Sequence, residues 1–227
     1  MAKKASAKPA AAEKKKVLVV DDHPVFRAGL IGLLQQESDI TVCGEADDAA
    51  HTMTAIERLK PDLVLLDMGL PDKSGLELLK DVRAMHPGLP VLIISMHDEM
   101  LYAERVVRAG GRGYIMKQAG PEKIIQAIRK VFSGGVYVSE RISSQILDHM
   151  AGVRTEDGGT SLSRLTDREL EILRLIGESR EAQDIARHLH LSIKTVDTHR
   201  AHIRQKLGLK NTTELIHYAA RWVDEQP

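Results

Sequence analysis

Three aspartates, a serine and a lysine stand where short apolar runs stop. Val17-Leu18-Val19-Val20 stops at Asp21-Asp22, Leu63-Val64-Leu65-Leu66 at Asp67, Val91-Leu92-Ile93-Ile94 at Ser95, and Gly113-Tyr114-Ile115-Met116 at Lys117. Carboxylates gathered at one point repel each other and so invite a cation. Mg2+ prefers oxygen ligands, keeps several waters, and needs only one or two carboxylates beside a phosphoryl group. A hydroxyl and an ammonium nearby counter the charge on the oxygens of a transferring phosphoryl group. In that chemistry Asp67 is the nucleophile and phosphoacceptor. Asp22 and Asp67 ligate the metal directly, Asp21 binds it through water, and Ser95 and Lys117 hold the phosphoryl oxygens. Singly each residue is ordinary, since an Asp after a strand more often caps the next turn or helix. The weight lies in their joint occurrence at four such ends.

For the ends to meet, the runs must be parallel strands of one sheet. Strands are expected at 17–20, 40–45, 63–66, 91–95 and 113–116. Amphipathic helices are expected at 24–36, 49–59, 74–85, 99–109 and 121–132, with Phe26, Leu30, Leu33 and Leu34 on one face of the first. Five βα units make a doubly wound, five-stranded parallel sheet of the flavodoxin-like α/β class. Such sheets bind ligands at the C-terminal ends of their strands, near the topological switch point, where all four endings fall.

The remaining chain divides by composition. Residues 1–16 carry six lysines against Glu13 and read as a disordered tail. Residues 17–137 hold 13 Lys/Arg against 17 Asp/Glu. Residues 138–160 read as a weakly structured linker, with a short helix possible at 142–150. Residues 161–227 read as a small all-α domain of four helices, at 167–176, 181–189, 192–207 and 211–223. Thr166-x-x-Glu169 is a capping box, Ser192 and Asn211 are N-caps, and Gly208 is a C-terminal stop. The second and third helices form a helix-turn-helix. The third carries Lys194, Thr195, Asp197, Thr198, His199, Arg200, Arg204 and Lys206 outward, opposite a stripe of Ile193, Val196, Ile203 and Leu207. Arg, Lys and Thr suit phosphate contacts, and side chains near the helix start suit base edges of double-stranded DNA. His199 and His202 on this helix, with His188 and His190 at the turn, lack the thiolates or carboxylates of a zinc site. One cysteine, Cys43, excludes an internal disulfide. No apolar run is long enough for a membrane span or a signal-peptide core, so a cytoplasmic protein without a membrane partner is expected.

Residues 16–137 resemble the receiver domain of bacterial two-component response regulators. The resemblance rests on Val-Asp-Asp-His-Pro (20–24), Leu-Leu-Asp-Met-Gly-Leu-Pro (65–71), Ser74-Gly75-Leu76-Glu77 and Gly113-Tyr114-Ile115-Met116-Lys117. It implies that Asp67 takes its phosphoryl group from a sensor histidine kinase and that the Gly69 carbonyl completes the Mg2+ site. It also implies that Ser95 and Tyr114 form a switch pair, the ring turning inward as the hydroxyl moves to the phosphoryl group. Leu165-Thr166-x-Arg168-Glu169-x-Glu171-Ile172-Leu173, Asp184-Ile185-Ala186, Lys194-Thr195-Val196-x-x-His199 and Lys206-Leu207-Gly208-Leu209 are similar to the LuxR-type DNA-binding domain. Together they indicate a phosphorylation-switched regulator of the NarL/FixJ type. The resemblance implies promoter binding as a homodimer paired through the last helix, with RNA polymerase a further partner. Three positions depart from the relatives: Gln118-Ala119-Gly120 precede Pro121, Asp197 stands where some relatives carry a base-contacting lysine, and Ser179 replaces a customary glycine. Two alternatives remain. One is DNA binding without phosphorylation. The other is an aspartyl-phosphate phosphatase of the haloacid dehalogenase type, whose nucleophile follows the first strand in a D-x-D pattern that this chain lacks.

Overall fold

The computed structural model describes residues 14–151, 161–189 and 191–225. The first 13 residues of the expected tail, residues 152–160 of the expected linker, His190 and residues 226–227 lie outside these. Five parallel strands form one sheet: β1 (Lys15–Val20), β2 (Ile40–Ala46), β3 (Leu63–Asp67), β4 (Val91–Ser95) and β5 (Gly113–Met116). Their order is β2-β1-β3-β4-β5, so the switch point lies between β1 and β3. β1 begins two residues earlier than its apolar run. Lys15 and Lys16 belong to the sheet rather than to the tail, because the Lys16 N–H donates to Asp62 Oδ2 at 2.7 Å and its ammonium to the Leu59 carbonyl.

Alternation along each strand sends side chains to two cores. Val17, Val19, Leu63, Leu65, Leu92 and Ile94 pack under α1 (Pro24–Gln35) and α5 (Pro121–Phe132). Leu18, Val20, Val64, Leu66, Val91 and Ile93 pack under α2 (Ala49–Leu59), α3 (Gly75–Met85) and α4 (Glu99–Arg108). Pro24 opens α1 at a position where its missing N–H costs nothing. Asp48, Ser74 and Asp98 cap the next three helices through their side chains.

The expected linker begins as a helix packed on the sheet domain. In α6 (Glu140–Met150) Ile142 is fully buried and joins the core that contains α4. A 3-10 turn (Ser161–Arg164) then leads into α7 (Asp167–Gly177), α8 (Ala182–His188), α9 (Ile193–Leu207) and α10 (Thr212–Asp224). The Thr166–Glu169 capping box is closed by both of its hydrogen bonds. No helix among the described residues is long and apolar enough to cross a membrane.

α7 ends in a Schellman motif. The Arg180 N–H bonds to the Leu175 carbonyl and the Ser179 N–H to the Ile176 carbonyl, which puts Ser179 at φ +61°. α9 ends the same way at Gly208, φ +70°, where no Cβ is strained. Replacing the customary glycine with Ser179 therefore carries a conformational cost of about 1 kcal/mol. Ser179→Gly should raise stability by about 0.5 kcal/mol once the greater freedom of an unfolded glycine is subtracted. Denaturant unfolding of the full chain at constant m-value checks this, and an unchanged midpoint would refute it.

Candidate functional site

Strand register brings the four endings together. Val20 pairs with Leu66, Asp67 with Ile94, and Ser95 with Met116, so Asp21, Asp67, Ser95 and Lys117 follow one another along the C-terminal edge. Asp21 is wholly buried (0 % exposed) and Asp67 nearly so. The Lys117 ammonium lies 2.7 Å from Asp21 Oδ2 and 2.9 Å from Asp67 Oδ2, its side chain 5 % exposed. The half-buried Asp22 places Oδ1 2.7 Å from His23 Nδ1. Burial pushes the Asp67 carboxyl above its ordinary pKa, the Lys117 ammonium pulls it down, and the Asp21 charge pushes it up again.

The loop after β3 is pinned close beneath this cluster. The Gly75 N–H bonds to the Met68 carbonyl at 2.8 Å, and a Cβ at Gly75 would lie 2.4 Å from the Asp67 carbonyl oxygen. Only glycine allows α3 to start so close to the Asp67 backbone. Gly69 sits at the turn of this loop in a bridge to Ser74, and its N–H donates to the Asp67 carboxylate.

The donor set fits a hard divalent cation. Asp21, Asp22, His23 and Asp67 each bring a ligand atom within 4.8 Å of the others. Asp21 Oδ2 and Asp22 Oδ1 are buried oxygens that accept no hydrogen bond of good geometry from the described residues. Oxygens left in that state meet a cation's preference. Among the described residues the other such group is the more exposed Asp47, Asp48 and His51; His199 and His202 form none.

Ser95 and Tyr114 are near neighbours that also share the His97 backbone. The His97 N–H donates to Ser95 Oγ at 3.0 Å, and the Tyr114 hydroxyl donates to the His97 carbonyl at 2.7 Å. The Tyr114 ring is fully buried. The His97 ring rests on Tyr102 of α4, centroids 5.4 Å apart. It also lines a small cleft with Glu171 and Arg174 of α7.

That cleft lies where the two domains dock. Arg105 of α4 donates to Asp167 Oδ1 at 2.9 Å and to the carbonyls of Leu162 and Leu165. Lys80 of α3 reaches Asp167 Oδ2 at 2.6 Å, and Arg168 lies 3.4 Å from Glu77. Apolar packing continues from Leu76 and Tyr102 to Leu162 and Leu165 in one core. These pairings join segments about 60 and 90 residues apart, and no periodicity or motif signals them.

On α9, Lys194, Asp197 and Thr198 are exposed in this docked arrangement, while Thr195, His199, Arg200 and Arg204 are half-buried. Two expectations need correction. Ile193 is 49 % exposed rather than part of the buried stripe, because the first turn of α9 projects past the core that Val196 and Ile203 fill. Lys206 is not a free outward cation: its ammonium bonds to the buried Glu169 at 2.6 Å and ties α9 to the start of α7. Asp197 faces Arg200 at 3.7 Å, and desolvation lowers the His199 pKa, which favours its neutral form.

A doubly wound sheet with an acidic edge, joined to a helix-turn-helix domain, defines the class of two-domain signal-responsive regulators. Two family models match it: "Response regulator receiver domain" over residues 17–129 and "Bacterial regulatory proteins, luxR family" over residues 163–219. The chain belongs to the NarL/FixJ-type response regulators, which join a receiver to a LuxR-type DNA-binding domain. It is 34 % identical over 210 residues to the oxygen regulatory protein NreC of Staphylococcus aureus, covering 91 % of this chain and 97 % of that one. Among solved structures it resembles RcsB from Salmonella enterica serovar Typhimurium bound to a promoter in the presence of a beryllofluoride phosphomimetic. That likeness has a TM-score of 0.72 and 25 % identity, over 92 % of this chain and all of that one. A LuxR-family response regulator from an Aurantimonas species covers 61 % of this chain, with a TM-score of 0.57 and 29 % identity over 99 % of its own length.

The His97 imidazole is pushed down to about 4, by burial first and then by the charges of Arg174 and Lys117. A depressed histidine pKa means that the stability it contributes is complete above about 6.5 and is lost as pH falls from there toward 4. Where undocking rehydrates the ring, acid should loosen the domain contact. Between pH 7.5 and 5 the contact should weaken by about 1 kcal/mol, read as a lower protection of α7 amides once exchange is normalised to the intrinsic rate at each pH, an effect reduced in His97→Phe. Equal protection factors at the two pH values would refute it.

Proposed function

We propose that this chain is a phosphorylation-switched transcription regulator in which Asp67 is the phosphoacceptor and a sensor histidine kinase the donor. The observation that carries the reading is the buried Asp21–Lys117–Asp67 ion cluster at the strand edge of a chain that also bears a helix-turn-helix domain. An Asp67 carboxylate oxygen attacks phosphorus as the bond to the donor's imidazole nitrogen breaks, and the freed imidazole takes up a proton. Asp21, Asp22, Asp67 and the Gly69 carbonyl would hold Mg2+, which when bound screens the carboxylates from the incoming phosphoryl charge. Lys117, already 2.9 Å from the attacked carboxylate, turns its ammonium to a phosphoryl oxygen. The Ser95 hydroxyl leaves the His97 N–H for another.

That exchange changes what His97 is bonded to, and His97 stands between the reaction centre and the docked α7. Phosphorylation thereby alters the docking and favours a homodimer on two half-sites of promoter DNA. Pairing would use α10, where Ile216 is 45 % exposed beside Tyr218. RcsB was solved on promoter DNA with a phosphomimetic, which supports the same pairing of signal and target here. Moving the equilibrium from 1:99 to 99:1 takes about 5.5 kcal/mol, shared among phosphoryl contacts, dimer interface and DNA. For DNA, the exposed Lys194 and Thr198 and the half-buried Thr195 and Arg200 are the best-placed residues on α9, with Arg204 along the same helix. Asp197 suits a cytosine amino group and repels phosphate.

The phosphatase alternative gains nothing from the geometry, since the carboxylate beside Lys117 on β3 has no D-x-D pattern. Asp67→Ala should abolish labelling by acetyl phosphate and the phosphodonor-dependent gain in a promoter footprint. Retained labelling would overturn the site, and a footprint indifferent to phosphodonor in the wild type would favour regulation without phosphorylation. Arg200→Ala should lower the slope of log affinity against log salt by about one unit.

A further inference from the structure

Lys117 has a third neighbour besides the two carboxylates. Its ammonium lies 4.6 Å from the centroid of the Phe26 ring, over the ring face. Phe26 is the third residue of α1, and its half-buried ring packs on the core beneath α1 and α5. The helix turn that carries it is anchored at the same edge of the sheet. Pro24 sets the helix start, and the Arg27 guanidinium donates to the Asp21 carbonyl and to Glu45 Oε2 at the end of β2.

We propose that Phe26 is a positioning residue for phosphoryl transfer, its ring face holding the Lys117 ammonium at the reaction centre. This rests on the reading of Asp67 as phosphoacceptor. A lysine side chain is a flexible four-carbon stem ending in a compact charge with three donors, so its position must be imposed from outside. Asp21 and Asp67 attract it but compete for the donors that a phosphoryl oxygen will need. An aromatic face attracts the charge through its quadrupole and accepts no strong hydrogen bond. A third carboxylate in its place would add repulsion to a site already crowded with negative charge. A leucine would fill much of the volume without attracting the charge. When Asp67 gains its phosphoryl group the ammonium can swing between oxygens while its contact with the ring persists.

The test measures the rate of acetyl-phosphate labelling of the full-length protein with Mg2+, beside thermal unfolding. Phenylalanine bearing one, two or three ring fluorines at position 26 keeps its shape while weakening the ring's negative face. Labelling should fall with each fluorine, to about one fifth at three, with unchanged unfolding temperature. Phe26→Leu should slow labelling about as much, Phe26→Tyr should restore it to within about twofold, and in a Lys117→Ala background Phe26→Leu should have no further effect. Rates indifferent to fluorination, or a Leu effect that persists without Lys117, would overturn the role of Phe26 alone. Wild type that takes no label, or Asp67→Ala that keeps it, would overturn the phosphoacceptor reading and this inference with it.

Discussion

One ammonium between two buried carboxylates holds the functional edge of this molecule together. Asp21 and Asp67 project from neighbouring strands with almost no access to water, and Lys117 lies within 3 Å of both. Buried charges left unpaired cost about 3–5 kcal/mol, so removing the lysine would leave two carboxylates facing each other at that cost. The arrangement needs the sheet order as well as the residues. Only with β3 between β1 and β4 do the three ends converge, and only with glycine at 75 can the loop after β3 return so closely. The same crowding that makes the cluster costly leaves Asp21 Oδ2 and Asp22 Oδ1 without a well-aligned hydrogen bond from the described residues, a state that suits a cation.

The second dependence is the first turn of α7, where three consecutive side chains reach in three directions. Asp167 meets Lys80 and Arg105 of the receiver, Arg168 donates to the Leu189 carbonyl at the end of α8, and Glu169 holds Lys206 of α9. The Lys80–Asp167 pair is partly exposed and is worth less than about 1 kcal/mol. The interface sets such pairs around the apolar packing of Leu76 and Tyr102 against Leu162 and Leu165. The capping box gains a second use here, because the carboxylate that closes it is also the partner of Lys206.

Much of this was legible from sequence. The five strands and the helices beside them follow from apolar periodicity, and their bounds differ from expectation by a residue or two. The edge residues were legible because each terminates a strand, where the chain must turn polar. The cap at Thr166 and the stop at Gly208 follow from local chemistry. What sequence did not disclose depends on pairing between distant segments. Arg105 with Asp167, Lys206 with Glu169, Ile142 against the α4 side of the sheet and Phe26 beneath Lys117 leave no local pattern. Nor does the serine at 179 announce its left-handed backbone.

His97 divides its bonds unevenly. Its backbone N–H and C=O serve Ser95 and Tyr114 inside the receiver, while its ring faces Tyr102 and the docked domain. Any residue but proline supplies those two backbone bonds, so they survive almost every substitution at 97, whereas the ring's contact with Tyr102 and the docked α7 is changed by each one. One position thus carries a fixed inner half and a variable outer half.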